Sequence, residues 1–138
     1  MDALIGAWSF VGMDAVTPRG IVRPFGSEVQ GRLLYLADGR VSVHAASAVR
    51  PRVGSGDPFR ATDGEAAALA RGYVGYTGRW WVEGDLVHHR VETSFFPNWE
   101  GEVHPRRIQL DGDELVLSTV PQAVGGEVAT VHVRWRRE

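Results

Sequence analysis

Two adjacent histidines, His88 and His89, an arginine at 106 and tyrosines at 35 and 76 are the residues of this chain best suited to chemistry. Imidazole titrates near neutral pH and can move a proton. Guanidinium stays charged and seeks an anionic or strongly hydrogen-bonding oxygen. A phenol can donate to a substrate oxygen. What these groups do depends on whether they share a face. Neighbours in a strand point to opposite sides, so one of the two histidines looks into a core and the other into water.

Missing residue types narrow the chemistry further. The 138 residues include no Cys and no Lys, which removes disulfides, thiolate nucleophiles, Cys-ligated zinc and Schiff bases. Fifteen basic residues, all Arg, stand against seventeen acidic ones, for a formal charge of -2 with no basic block. Nucleic acid is therefore not an expected partner. The opening MDALIGAWSF has neither a basic n-region nor an apolar run of spanning length, so the expectation is a cytoplasmic protein without a membrane partner. No H-x-H or H-E-x-x-H spacing occurs, and no metal site is expected. There is no G-x-S-x-G elbow and no phosphate-binding loop, since the glycines of VGSGDP and VGGE are loop glycines. No cofactor is expected.

The elements that must position these residues are strands. Short alternating runs separated by Asp/Gly turns recur along the chain without an internal repeat, the pattern of an all-β antiparallel fold. The runs fall at 4–13, 29–36, 40–46, 73–83, 86–93, 102–110, 114–119 and 128–136. About eight such strands in one domain over 1–138 make an up-and-down barrel whose interior either fills with side chains or holds one small ligand. The exception is TDGEAAALARG, where Thr62 and Glu65 have capping-box spacing and Gly72 is placed as a C-cap. That helix, 63–71, follows the loop 47–61 and is expected near one barrel mouth, as a plug or a lid.

Register assigns the faces. A two-residue Gly84-Asp85 turn pairs Glu83 with Leu86, Val82 with Val87 and Trp80 with His89. One face then carries Tyr76, Gly78, Trp80, Val82, Val87, His89, Val91 and Thr93, and the other Arg79, Trp81, Glu83, His88 and Arg90. The first is the inner face, so His89 looks in and His88 looks out. A Gly112-Asp113 turn pairs Leu110 with Leu115, Ile108 with Leu117 and Arg106 with Thr119, placing Arg106 on an apolar face. A three-residue loop with Gly39 in the left-handed region gathers Leu33, Tyr35, Val41 and Val43 inward and leaves His44 outside. Trp8 and Phe10, and later Val131, Val133 and Trp135, also aim inward, with His132 and Arg134 outward. Outward Trp81 marks either a homodimer contact or the seat of the helix, and the helix is the preferred cover.

This interior is apolar with a small polar set, the composition of a small-molecule pocket. His89, Arg106 and Tyr35 are the candidate catalytic residues, and each has a plain structural alternative. His89 is a general acid/base or a core histidine satisfied by a tyrosine or a carbonyl. Arg106 meets a ligand anion or snorkels at a rim. Tyr35 and Tyr76 donate to a ligand or simply fill the core. The candidate ligand-binding residues are Tyr76, Trp80, Leu33, Val91 and Leu117 on the walls, Trp8, Phe10 and Trp135 among the inward aromatics, and Phe96 and Trp99 in the mouth turn FFPNWEG.

The segments LIGAWSFVG, GRLLYLADGRVSV, SGDP, GYTGRWWV, SFFPNWEG and RRIQLDGDELVLST together resemble the bacterial lipocalin-like domain family of small cytosolic β-barrels, from Leu4 to Arg137. The resemblance implies a lipocalin-like barrel with a central cavity and with Trp8 at a closed end. It also implies an inward His/Arg pattern, matched here by His89 and Arg106. Some such barrels act in natural-product pathways as cyclases or isomerases of polyketide-like chains. The function expected first is therefore a cofactor-free cyclase or isomerase acting on a small hydrophobic oxygenated metabolite, and the alternative is a carrier that binds such a metabolite unchanged.

Overall fold

Gly84 and Gly112 take positive φ values of 61° and 59° at the first central position of two-residue turns. Glycine accepts this conformation without steric cost, and the resulting turns match the right-handed twist of the strands they join. The computed structural model describes residues 2–138. It contains β1 (Gly6–Thr17), β2 (Gly20–Val22), β3 (Val29–Tyr35), β4 (Arg40–Ser47), α1 (Asp63–Arg71), β5 (Tyr73–Glu83), β6 (Leu86–Ser94), β7 (Val103–Asp111), β8 (Glu114–Ser118), β9 (Gln122–Val124) and β10 (Glu127–Arg137). Short 3-10 turns occupy Asp2–Leu4 and Pro97–Trp99.

Eight of these strands form a closed antiparallel ring, in the order β1, β3, β4, β5, β6, β7, β8, β10 and back to β1. The closing pair runs from Trp8 opposite Arg137 to Val16 opposite Thr130. Closure leaves the ring without an unpaired edge. The expected registers are present: Trp80 faces His89, Ile108 faces Leu117, and Leu33 and Tyr35 face Val43 and Val41 across a loop in which Gly39 has φ 90°.

One end is sealed. Trp8 is fully buried and donates its indole N–H to the Leu4 carbonyl at 2.9 Å, while the Arg137 guanidinium lies 4.1 Å from the ring centroid. Trp80 donates to the Leu36 carbonyl and packs on Tyr35 with ring centroids 4.6 Å apart.

Four features depart from the sequence reading. First, β1 runs on to Thr17, and β2 and β9, not expected, pair with the far ends of β1 and β10. Ala15, Ala129 and Val131 form a small core there.

Second, the β5–β6 register slips between Thr77 and Gly78, so that Gly78 faces Val91 while Thr77 faces Thr93. Thr93 is therefore exposed on the outer face, not inside. A Cβ on Gly78 would come within 1.9 Å of the Arg90 carbonyl oxygen, so the glycine permits the close approach of the two backbones at the bulge.

Third, α1 buries no residue and its side chains do not line the barrel cavity, so it does not plug it. The capping box is present, but the two Glu65 carboxylate oxygens accept from the Thr62 and Gly54 amides, tying the helix to its own preceding loop. Fourth, Trp81 is covered within its own hairpin: it stacks on His88 at 5.3 Å, with Arg90 5.7 Å from its centroid.

Gly78→Ala is expected to lower stability by about 1–3 kcal/mol, the cost of forcing atoms into a filled site. Urea unfolding that leaves the midpoint unchanged would show that the bulge can open to accept a methyl group.

Candidate functional site

The inner face of β6 places His89 near the middle of the barrel, 2 % exposed. Its Nε2 lies 2.7 Å from the Tyr35 hydroxyl on β3, and its Nδ1 lies 2.5 Å from the Tyr76 hydroxyl on β5. The imidazole thus bridges two phenols, one at each ring nitrogen. Burial pushes His89 well below its ordinary pKa of 6.5, and the Arg106 charge adds to the effect, as do His104 and His88. Burial also raises both tyrosines, Tyr35 far more than Tyr76, against the opposing pull of Arg106. The chain of three is neutral at ordinary pH.

Beside it the barrel encloses a cavity of about 100 Å³. Leu33, Val43, Leu117, Val133 and Trp135 supply apolar wall, His89, Tyr76 and Arg106 polar wall, and Trp99 and Gln122 also border the space. A wider groove of about 700 Å³ runs over the outer face of β3 and β4, but it is open to solvent and none of the buried polar set lines it.

Arg106, on β7, is half-buried. Its guanidinium donates to the Pro105 carbonyl at 3.0 Å and, at 3.4 Å, to Nδ1 of His104. Among the described residues no carboxylate lies within 4.0 Å of it, so the charge that faces the cavity has no anionic partner.

His104 is the residue that sequence reasoning missed. It stands directly opposite His89 across the β6–β7 pair, its Nε2 lies 2.9 Å from Glu102, and its ring meets Trp99 edge-on at 5.4 Å. Accepting from Arg106 at Nδ1 places its hydrogen on Nε2, which donates to Glu102. Its position two residues before Arg106 carries the signal, because strand alternation puts both on one face. Thr119, Gln122 and Met13 also line the cavity without having been proposed as ligand contacts, and only Thr119 had been paired with Arg106.

Of the proposed residues, the structure brings His89, Arg106, Tyr76, Leu33, Leu117, Trp135 and Trp99 to the cavity. It leaves out Tyr35, Trp8, Trp80, Val91, Phe10 and Phe96. Tyr35, Trp8 and Trp80 belong to the sealed end, and Val91 is buried wall. Phe10 packs with Phe25 and Trp135, at 6.3 and 5.2 Å. Phe96 is 41 % exposed, edge-on to Trp99. The strand residues among them are placed by depth along the strand, which alternation does not encode.

A closed antiparallel barrel with an apolar cavity and a few convergent polar groups defines the class, a small all-β barrel with an interior cavity. The chain belongs to the lipocalin-like domain family, whose model matches residues 5–138. It is 37 % identical over 86 residues, 55 % of this chain and 77 % of the relative, to the 4'-hydroxy-3'-methoxypropiophenone carrier protein ppsC of Aspergillus oryzae (strain ATCC 42149 / RIB 40). A solved redesigned β-barrel covers 99 % of this chain and 93 % of its own, with TM-score 0.46 and 11 % identity, and nothing further rests on that likeness. No helix among the described residues is long and apolar enough to cross a membrane.

The buried neutral His89 makes stability depend on pH. The unfolded chain takes up a proton near pH 6.5 that the folded chain refuses until far lower pH, so protons favour unfolding and stability falls as pH drops below about 6.5. His89→Gln is expected to flatten this slope, as checked by urea midpoints between about pH 7 and pH 5. Equal slopes in both proteins would mean that His89 is protonated within the fold.

Proposed function

We propose that the barrel binds one small, hydrophobic, oxygenated metabolite in its central cavity and carries it unchanged. The observation that carries this reading is Arg106: a permanent charge facing an apolar cavity without a carboxylate partner, a costly arrangement that a ligand oxygen would relieve. At about 100 Å³ the cavity is smaller than the roughly 150 Å³ apolar cavity that takes benzene, so a ligand of one ring would fill it and extend beyond it. The relative named as a carrier of a methoxylated phenolic ketone supports the same ligand class.

The second reading is a cofactor-free cyclase or isomerase, and Tyr76 is what favours it. Tyr76 borders the cavity and its hydroxyl is hydrogen-bonded to an imidazole, an arrangement able to pass a proton to a ligand. His89 itself has both ring nitrogens engaged, so it would act through Tyr76 rather than by direct contact. Arg106 would stabilise a developing enolate.

Small molecules retained from an extract of the producing organism separate the two readings by mass spectrometry. A carrier holds a compound unchanged at stoichiometric amounts in both wild type and His89→Ala. An enzyme consumes it beyond stoichiometry, giving an isomeric or dehydrated product that His89→Ala fails to make. In the binding reading, Arg106→Leu is expected to weaken capture by about tenfold or more, the value of a hydrogen bond to a charged group. The same substitution should leave stability unchanged or raise it, because a poorly paired charge is removed. Unchanged affinity in this variant, measured by calorimetry with the retained compound, would remove Arg106 from the site.

A further inference from the structure

Tyr35, His89 and Tyr76 carry three exchangeable hydrogens when neutral but make only two hydrogen bonds with one another. The imidazole donates to one phenol oxygen and accepts from the other phenol. The phenol that accepts keeps its own hydrogen for a third partner. Burial decides which one that is. Tyr35 has no exposed surface, does not line the cavity and has His89 as its one side-chain hydrogen-bond partner among the described residues. A spare hydrogen there would be stranded in the sealed end, at the full desolvation penalty of an unmet donor. Tyr76 borders the cavity, where a ligand or a water can accept.

We infer that His89 is the Nδ1–H tautomer, accepting from Tyr35 at Nε2 and donating to Tyr76, so that the Tyr76 hydroxyl hydrogen and the Arg106 guanidinium together select a ligand oxygen that only accepts: a ketone carbonyl, or its enolate, on a one-ring apolar body. This rests on the binding reading of the cavity. The sealed end thereby sets ligand specificity at a distance, because Tyr35 orients the proton chain without touching the ligand. Tyr35 is a positioning residue, whereas Tyr76 makes the contact. His104 adds no competing donor, since its Nε2–H is directed to Glu102 and its Nδ1 accepts from Arg106. The neutrality of the chain is consistent with the burial of its members and with the adjacent Arg106 charge.

Two measurements test this. Long-range proton–nitrogen NMR on ¹⁵N-histidine-labelled wild type reads the tautomer directly, and needs neither ligand nor variant. Protonated Nδ1 with bare Nε2 is expected, and the reverse overturns the inference. Calorimetry with acetophenone and ethylbenzene, which differ by one carbonyl oxygen, then reads selectivity. Wild type is expected to favour the ketone by about tenfold or more, and Tyr76→Phe to cut that ratio severalfold, leaving the share that Arg106 supplies, while ethylbenzene affinity holds. The infrared stretch of the bound carbonyl should lie lower in wild type than in the variant. Should Tyr76→Phe fail to fold, the wild-type ratio and a bound carbonyl stretch lowered from that of free acetophenone still decide. Equal binding of both probes by wild type overturns this inference and leaves the binding reading standing. Binding of neither overturns the binding reading and the ligand class with it.

Discussion

The pairing of β1 with β10 is the contact on which the rest of the molecule depends. It turns a sheet into a closed ring, and a closed ring forces one face of every strand inward. What lies inside must then either pack or leave space. Near the start of β1, Trp8, Tyr35 and Trp80 fill the interior, and Leu4 with the Arg137 guanidinium covers them. Elsewhere in the barrel, small Ala45, Val74 and Thr119 border the space that remains, beside the larger Tyr76, Trp99 and Trp135.

The same closure gives the polar residues their properties. Away from water, a paired hydrogen bond is strong and an unpaired group is costly. His89 remains neutral because charging it there would forfeit its hydration, and its two nitrogens are met by the two phenols that the register brings within reach. Arg106 cannot lose its charge. It is tolerated because it is only half-buried and leans on the Pro105 carbonyl and His104. A stability-optimised barrel would carry an aliphatic residue in its place. In the binding reading, the ligand offsets this local cost.

Much of the architecture was legible in the sequence. The turns at Gly84-Asp85 and Gly112-Asp113 and the loop ending in Gly39 set three registers, and from these the inward aim of His89 and the side taken by Arg106 followed by alternation alone. Less was legible of the site. Alternation reports the face of a residue and says nothing of its depth, so Tyr35 and Tyr76, both inward, read as equivalents although one is sealed in and the other borders the cavity. His104 escaped notice although it shares the face of Arg106. The bulge at Gly78 moved Thr93 outside, and the helix, correctly bounded by its capping box, is tied to its own loop and does not fill the cavity.

By itself, the sequence determined strand periodicity, turn position, the helix bounds and the sidedness of nearly every inward residue. These are local properties, set by backbone sterics and by the burial preference of each side chain. Tertiary structure alone decided which inward residues meet. The His89 bridge joins β3, β5 and β6, and its partners lie 54 and 13 positions away along the chain. Such contacts depend on strand tilt, the bulge and the closing register together. Only the closed ring fixes all three at once, and with them the hydrogen-bond partners available to the imidazole.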